Sequence, residues 1–214
     1  MRDLDHAMTL IEATVNAVNV PVTLKMRLGW DEKSINAPEL ARRAESVGVA
    51  MVTVHGRTRC QFYEGKADWD AIRAVRDVIR IPLVANGDVV CRGDAEEILR
   101  RSGADAVMVG RASYGQPWLA GLIAGSDFVP KSRSEILDYI IKHYEDMLDH
   151  YGSTTGIRHS RKHLGWYLDR HAGEACMPAE KAEVMTQTDR RAVIDALGRI
   201  FTREIREVAL KEVA

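Results

Sequence analysis

The sequence predicts an α/β fold built from four βα units, followed by a bundle of helices. Three observations indicate this architecture. Four short, mostly apolar runs start at intervals of about 23 to 32 residues, helical segments lie between them, and no strand pattern follows Gly125. Such runs are typical of parallel strands covered on both faces, and their spacing suits successive right-handed βα units in a parallel sheet or barrel.

The elements of the first part follow in order. Residues 4–18 form an amphipathic helix, because apolar side chains recur there at helical spacing: Leu4, Met8, Ile11, Val15 and Val18. The predicted strands are residues 21–28, 50–55, 81–86 and 105–110. The predicted helices between and after them are residues 38–47, 69–79, 94–102 and 116–124. The first three of these helices end at Gly48, before Pro82 and at Gly103, where glycine and proline are typical terminators.

The second part is predicted to be all-α. Residues 126–130 have the composition of a linker. One helix face is predicted from Ile136, Ile140, Tyr144 and Leu148, and a second from Ala192, Ile194, Leu197, Ile200, Ile205 and Val208. We therefore expect two domains, residues 1–125 and residues 126–214.

Composition narrows the class of protein without identifying a function. The 214 residues are 46% hydrophobic and 29% charged, with a formal net charge of −1. These values are typical of a soluble globule and exclude a uniformly basic nucleic-acid binder. The three cysteines, Cys60, Cys91 and Cys176, form no CxxC pair, so we expect a reducing cytoplasmic location rather than a disulfide scaffold. No stretch approaches the roughly 20 apolar residues of a membrane span, and we expect no membrane partner.

Several catalytic signatures are missing from the sequence. It contains no Walker A loop, GxGxxG, HExxH or GxSxG motif. Cys60 lies in a loop beside Arg59, where a tolerated loop residue is the preferred interpretation over a nucleophile. His159 and His163 are four residues apart and lack a third ligand, so we predict no metal site.

Polar and glycine residues lie at or just beyond the carboxyl end of each predicted strand, which is the end that carries the active site in (β/α)8 barrels. They are Lys25 and Arg27, His55 and Arg57, Asn86, Gly87 and Asp88, and Gly110 and Arg111. Glycines let backbone N–H groups approach a phosphate and arginine neutralises it, so the last two groups suggest a phosphate site. Taken singly, each is equally an ordinary turn with a helix cap.

One basic patch occurs in the helical part. Within residues 156–171, Arg158, Arg161, Lys162 and Arg170 face only one acidic residue, Asp169. The basic side chains suit RNA phosphates, and Trp166 or Tyr167 suits stacking on an exposed base. The alternative is an ordinary bundle with its aromatics packed inward and its charges solvated.

The motifs also resemble a known family. Residues 21–30 (PVTLKMRLGW), 54–69 (VHGRTRCQFYEGKADW), 82–88 (PLVANGD) and 107–112 (VMVGRA) are similar to tRNA-dihydrouridine synthases, especially the bacterial DusB-like branch. The HGRTR run is highly specific, and residues 161–167 (RKHLGWY) resemble the C-terminal domain of that branch. The resemblance extends over almost the whole chain, with the motifs in order.

The resemblance implies a flavoenzyme with an FMN-binding barrel and a helical tRNA-binding domain, which uses NADPH to reduce uridine to 5,6-dihydrouridine in tRNA. It implies that Lys25 meets the N1/C2-carbonyl edge of the flavin and that His55 lines the same pocket. The FMN phosphate and ribityl chain would contact Asn86, Gly87, Asp88, Gly110 and Arg111. RNA would contact Arg57, Arg59 and Lys66 at the rim, and Arg158, Arg161, Lys162, His163 and Trp166 in the helical part.

Two family motifs have no counterpart here, namely the first strand with its Ala-Pro-Met-like run and the Asn-x-Gly-Cys-Pro loop after the fourth strand. The cysteine of that loop is the family's general acid, and none of the three cysteines inherits its role. We therefore expect the C-terminal half of a (β/α)8 barrel, four βα units, followed by the helical domain. We also expect inactivity in isolation, and self-association through the exposed edges of the half-barrel.

Two alternatives stay open from the sequence. One is a different FMN- or phosphate-binding barrel enzyme with a small-molecule substrate, because glycine–arginine phosphate sites are widespread in this fold. The other is a non-catalytic RNA-binding or assembly module. The sequence does not indicate which uridine of the tRNA is modified.

Overall fold

The computed structural model describes residues 1–203, in which strands and helices alternate before an all-helical part. The first elements are α1 (Leu4–Ala17), β1 (Thr23–Arg27), α2 (Ala37–Ser46), β2 (Met51–His55), α3 (Arg73–Arg76), β3 (Leu83–Asn86), α4 (Arg92–Ser102), β4 (Ala106–Met108) and α5 (Leu119–Ile123). The remaining helices are α6 (Arg133–Tyr151), α7 (Ser153–Tyr167), α8 (Pro178–Thr186) and α9 (Arg190–Thr202), with a π-helical turn at Leu168–Ala172.

The chain divides into two compact units. The first comprises Met1–Ser113 and Leu119–Ser126, and the second comprises Tyr114–Trp118 and the part that begins at Asp127. The expected domains 1–125 and 126–214, with the roles assigned to them, stay predictions.

The first unit is built on a parallel sheet. Its strand order is β1-β2-β3-β4, so each strand pairs with the next one along the chain, as the βα pattern predicts. One face of the sheet packs against the helices through Met26, Val52, Val54, Leu83 and Ala85. Their helical partners include Leu40, Ala41, Ile72, Val75 and Ile98.

The expectation of strands covered on both faces is correct for the middle of the sheet and wrong at its edges. In β2 and β3, Thr53 and Val84 lie on the face away from the helices and are still buried. In β1 and β4, Thr23, Lys25 and Ala106 are exposed. The physical reason is that each edge strand has a neighbour on only one side within the described residues.

Two of the predicted helices are shorter in the structure than the sequence pattern indicates. Residues 116–124 form an α-helix only over Leu119–Ile123. Residues 69–79 were expected to be helical, but only Arg73–Arg76 form an α-helix. The Asp68 carboxylate accepts a hydrogen bond from the N–H of Ala71 and so starts a turn, and Arg76 binds the carbonyls of Ile79 and Ile81. These contacts turn the chain into β3 before a longer helix can form.

Helices α6 to α9 make up most of the second unit. Ile140, Tyr144 and Leu148 form the buried face of α6, as predicted, whereas Ile136 is half-buried. In α9, Leu197 and Ile200 are buried as predicted, whereas Ala192 and Ile194 are half-buried. The buried face is completed by Val193, Ala196 and Phe201. The predicted positions Ile205 and Val208 lie outside the described residues.

Over residues 1–203, none of the helices combines the length and the apolar character that crossing a bilayer requires.

Candidate functional site

The parallel register brings the predicted strand-end residues to one edge of the sheet. Arg27 is the partner of His55, and His55 is the partner of Asn86. Because side chains alternate along a strand, Lys25 lies on the same face as Arg27. The Lys25 ammonium donates to Asn86 Oδ1 at 3.1 Å, and Asn86 Nδ2 donates to the Met108 carbonyl at 2.9 Å. Strands β1, β3 and β4 are therefore linked through polar groups at their carboxyl ends.

Lys25 is a cation without an acidic partner in the described part of the chain. Partial burial lowers the pKa of its ammonium, and the neighbouring Arg27 lowers it further. A cation in this position favours a ligand that brings negative charge.

His55 is a neutral side chain at pH 7. It is 8% exposed, and burial, followed by the charges of Arg27 and Lys25, lowers its pKa to about 4. Arg57 Nη1 lies 3.3 Å from His55 Nε2, and a guanidinium can only donate. We infer that Nε2 accepts and that the ring proton resides on Nδ1, where it can be donated to a ligand.

Arg57 occupies the interior of the site. The sequence places this residue on an RNA-facing rim, but the structure buries it to 1% exposure. It donates to both carboxylate oxygens of Asp88, at 2.9 and 2.7 Å, and to the carbonyls of Glu64 and Gly65. This side chain is unavailable to RNA because it ties the segment after β2 to the loop after β3.

Asp88 completes this connection. Burial alone raises the pKa of its carboxyl group, but hydrogen bonds from Arg57 and from the N–H of Ala67 outweigh burial and hold the pKa below its usual value. The carboxylate is therefore occupied by protein donors. If Asp88 contributes to an anion site, it does so through its backbone.

Gly87 is required by this geometry. Its φ of 131° lies in the region that favours glycine, and a Cβ atom would be 2.6 Å from the Cβ of Ala67. Asp88 itself has a φ of 58°. The loop after β3 thus contains two consecutive residues with positive φ.

Gly110 and Arg111 leave room for a ligand. No atom lies within 4 Å of the position that a Cβ of Gly110 would occupy. The Arg111 guanidinium is about half exposed and lies 3.4 Å from Asp88. A small anion at Gly110 would therefore meet open space beside a cation.

The basic residues of the second unit differ in their surroundings. Arg158 and Lys162 are exposed on α7. Arg161 is half-buried and donates to the carbonyls of Thr186 and Gln187 at the end of α8. The exposed part of the predicted basic patch therefore contains fewer side chains than the sequence indicates, because Arg161 is half-buried.

The aromatic residues of α7 are engaged within the same unit. Trp166 stacks on Tyr114 with ring centres 3.8 Å apart, and its ring also meets His163 edge-on. Tyr167 is 2% exposed and its hydroxyl lies 2.9 Å from His143 Nδ1. Burial lowers the pKa of both His143 and His163. Tyr167 is a core residue, as the alternative interpretation of the patch predicts.

The remaining predicted residues lie at the surface. Arg59, Lys66 and Cys60 are exposed in the segment after β2. Residues 1–203 contain no group of three side chains suited to hold a metal ion.

Sequence reasoning missed the role of Arg27 and of two aromatic side chains. Arg27 Nη1 donates to the carbonyls of Thr58 and Phe62, at 2.7 and 2.8 Å. Phe62 and Tyr63 are exposed beside it. The sequence does carry a signal for these two side chains, because Phe62 and Tyr63 are adjacent within a polar segment that contains arginine.

Comparison with known proteins finds relatives along nearly the whole chain. Residues 1–204 match the family described as Dihydrouridine synthase (Dus). A probable tRNA-dihydrouridine synthase of Rhizobium leguminosarum bv. phaseoli is 64% identical over 193 residues, which are 90% of this chain and 60% of that protein. The tRNA-dihydrouridine synthase B of Xanthomonas axonopodis pv. citri is 44% identical over 180 residues, which are 82% of this chain and 54% of that protein.

The chain thus spans between half and two thirds of the length of these curated relatives. Among solved structures, a mandelate oxidase mutant matches 91% of this chain and 69% of its own, with 16% identity and a TM-score of 0.35. That score is too low to support an argument about the fold.

Proposed function

The chain belongs to the dihydrouridine synthase family, and from this premise we propose that it is part of an FMN-dependent enzyme that reduces uridine to 5,6-dihydrouridine in tRNA with NADPH. The resemblance of its motifs to this family is confirmed, with a synthase B among the relatives. A tRNA substrate and unpaired cysteines favour a cytoplasmic location.

The observation that carries the cofactor assignment is the position of Lys25. When bound, FMN supplies the hydride for the reaction, and its reduced ring carries negative charge that a nearby cation stabilises. Among residues 1–203 no carboxylate pairs with Lys25, and its ammonium is held by the neutral amide of Asn86. Neutral His55 adds an N–H donor without adding a charge.

The phosphate end of the cofactor fits the open space at Gly110. A phosphate there would be neutralised by Arg111, whose guanidinium is only loosely paired with Asp88 at 3.4 Å. In this assignment Asn86, Gly87 and Asp88 shape the intervening backbone, and the carboxylate of Asp88 does not contact the ligand. We propose the corresponding fold to be the C-terminal half of a (β/α)8 barrel with a helical domain after it.

The proposed tRNA contacts are the exposed cations. Arg59 and Lys66 lie in the segment after β2, and Arg158 and Lys162 lie on α7. Arginine and lysine at such positions bind RNA phosphates without reading sequence. Arg161, His163 and Trp166 are engaged within the second unit, and we propose that they position α7 rather than contact RNA directly.

We propose that the 214-residue chain alone does not complete the reaction. The family's general acid is a cysteine in an Asn-x-Gly-Cys-Pro loop, and Cys60, Cys91 and Cys176 all lie outside such a context. With NADPH, FMN and unmodified tRNA, we expect no dihydrouridine by mass spectrometry of the digested RNA. Formation of dihydrouridine under these conditions would contradict this part of the proposal.

Flavin binding tests the assignment directly. We expect the purified chain to bind FMN and to release it on denaturation, with binding followed by quenching of flavin fluorescence. Replacing Lys25 by methionine removes a charged hydrogen bond and should weaken FMN binding about 10- to 100-fold. The matched control is Lys33→Met, at an exposed position outside the site.

Equal FMN affinity in the Lys25→Met and Lys33→Met variants would rule out the proposed role of Lys25. Tight tRNA binding by a chain that takes up no FMN would instead favour the non-catalytic RNA-binding alternative.

A further inference from the structure

Two aromatic side chains project into solvent from the segment between β2 and α3. Phe62 is 52% exposed and Tyr63 is 51% exposed, and their rings pack edge to face with centres 5.0 Å apart. Large apolar rings exposed side by side usually mark an interaction site, since scattered single exposures are the norm. Neither ring has a place in the flavin or phosphate assignments above.

Guanidinium groups surround these rings. Arg59 lies 5.0 Å from the Phe62 ring centre and 5.9 Å from that of Trp30. Arg111 lies 4.7 Å from the Tyr63 ring centre, and Arg27 approaches the same ring to 5.5 Å. We call the series Trp30, Arg59, Phe62, Tyr63 and Arg111 the aromatic–arginine ladder, because each of its rings lies beside a guanidinium group.

The ladder is held in a defined conformation. Phe62 has a φ of 54°, which is strained for a residue with a side chain and persists only where other contacts impose it. Arg27 supplies them by donating to the carbonyls of Thr58 and Phe62. The segment is closed further by the Thr58 N–H, which donates to Gln61 Oε1 at 2.7 Å. These hydrogen bonds therefore hold the loop in the conformation that exposes both rings.

The ladder adjoins the proposed reaction site. A cavity of about 550 Å³ is lined by Lys25, Arg27, Trp30 and Arg59, together with Met1, Arg2 and Met26. This volume falls in the range of small-molecule and nucleotide sites. No carboxylate contributes to its lining. The cavity and the ladder share Trp30 and Arg59, so a chain bound along the ladder would lead to Lys25.

We propose that the aromatic–arginine ladder is a stacking platform for single-stranded RNA beside the uridine to be reduced, an inference that rests on the proposed tRNA function. Bases stack on Phe62 and Tyr63, and Arg59 faces a flanking phosphate. Nucleic acid is the occupant favoured by the chemistry, because it alone combines flat rings with regularly spaced negative charge. An apolar protein segment would bring no negative charge to the Arg59 guanidinium.

The experiment measures binding of a fluorescein-labelled oligouridylate of about 12 nucleotides to the chain by anisotropy. Loss of one stacked base should weaken binding about 5- to 100-fold, so Phe62→Ala and Tyr63→Ala should each show a loss in this range. Tyr63→Phe keeps the stacking ring and should bind like the parent. Val78→Ala trims an exposed apolar side chain elsewhere in the first unit and should also bind like the parent.

Photocrosslinking supplies a readout that a merely structural role would not produce. An oligouridylate with 5-iodouridine should crosslink to Phe62 or Tyr63, as located by mass spectrometry of the digested protein. Unchanged affinity in both alanine variants, or crosslinks that map elsewhere, would overturn the platform. Failure of the parent chain to bind the oligonucleotide would also overturn it and would favour a protein segment as the occupant of the ladder.

Parallel FMN titrations separate this inference from the proposed function. The Phe62→Ala variant should keep the parent's FMN affinity, since its ring contacts Arg59 and Tyr63 and no proposed flavin contact. The Tyr63→Phe variant should keep it as well, because it retains the ring that packs on Arg111. Ring crosslinks in a chain that takes up no FMN would support the platform and contradict the flavin assignment. Normal FMN binding with unaltered RNA affinity in both alanine variants would contradict the platform alone.

Discussion

Arg57 shows how one buried side chain sets the geometry around it. It is 1% exposed and binds Asp88 from the loop after β3 and two carbonyls from the segment after β2. Removing one partner of a buried ion pair typically costs about 3–5 kcal/mol, and the partial exposure of Asp88 places this pair at the lower end. We predict that Arg57→Met lowers the free energy of unfolding by about 3 kcal/mol.

The same variant should release the segment between β2 and α3. Trypsin should then cleave faster at Arg59 and Lys66, which lie in that segment, with the cleavage sites identified by mass spectrometry. Arg100→Met is the control, because the Arg100–Glu97 pair is exposed and such pairs contribute less than about 1 kcal/mol. Equal cleavage rates in the two variants would refute the anchoring role of Arg57.

Because the pKa of His55 is lowered in the folded chain, we predict a loss of stability on mild acidification. Its pKa is about 4 in the folded chain and about 6.5 when unfolded. Between these values the unfolded state binds more protons, so stability is present above pH 6.5 and is lost as the pH falls toward 4. From pH 7 to pH 5 we expect a decrease of up to about 2 kcal/mol, measured from hydrogen exchange of the β2 and β3 amides.

Replacing His55 by asparagine should flatten this pH dependence, whereas replacing the exposed His6 by asparagine should leave it unchanged. If the free energy of unfolding depends on pH in the same way in the parent and in the His55→Asn variant, His55 is not the buried, neutral imidazole that causes the loss of stability.

The sequence predicted Lys25, His55 and Asn86 as neighbours because parallel strands bring their carboxyl ends to one edge. It misplaced Arg57, since an arginine after a strand is usually exposed. The partner that buries it is 31 residues away in the chain, and no local pattern reveals such a pairing. Phe62 was missed for a related reason, because its exposure depends on a backbone conformation that Arg27 imposes from another strand.

At the level of elements, α6 and α7 pack closely where α7 carries a glycine. A Cβ on Gly156 would lie 2.8 Å from the Cα of Leu148 and 2.9 Å from the carbonyl oxygen of Met147, both in α6. Neither backbone atom can move without shifting a helix. We predict that Gly156→Ala destabilises the second unit by about 1–3 kcal/mol in urea unfolding followed by tryptophan fluorescence.

Gly198 provides the matched control for this glycine. It lies in α9, and nothing occupies the 4 Å around its would-be Cβ. The Gly198→Ala variant should gain about 0.5–1 kcal/mol from helix propensity alone. A loss of stability in both variants would show that packing at Gly156 is not the cause.

The elements that the sequence predicted well are those whose signal is local. Helices α1, α2 and α4 follow from periodicity and from terminators such as Gly103, which has a left-handed φ of 67°. The segment 69–79 was misjudged because Arg76 forms tertiary hydrogen bonds that end the helix early. In α9 the buried residues Val193, Ala196, Leu197, Ile200 and Phe201 follow the helical repeat of the sequence, and the prediction identified Leu197 and Ile200 but chose Ala192 and Ile194 in place of Val193 and Ala196.

At the scale of the whole molecule, the sheet presents unequal edges. Within the described residues, β1 pairs only with β2, and β4 pairs only with β3. The β1 edge carries Lys25 and Arg27, and charged side chains of this kind oppose edge-to-edge pairing. The β4 edge, Ala106–Met108, has no charge. An unpaired strand with no charge is the surface on which a second copy can add a strand.

We therefore predict that the chain self-associates through β4, with a weight-average mass that rises from low to high micromolar concentration in analytical ultracentrifugation. Ala106→Lys should reduce this association, because Ala106 is exposed on the edge strand and a lysine there repels its counterpart. Ala120→Lys, at an exposed position in α5, adds the same charge away from the edge and should leave association unchanged. A monomer at every concentration, or equal association in the two lysine variants, would exclude pairing through β4. Association that survives Ala106→Lys but disappears in Thr23→Lys, which adds a charge at an exposed position of β1, would instead place the contact at the β1 edge.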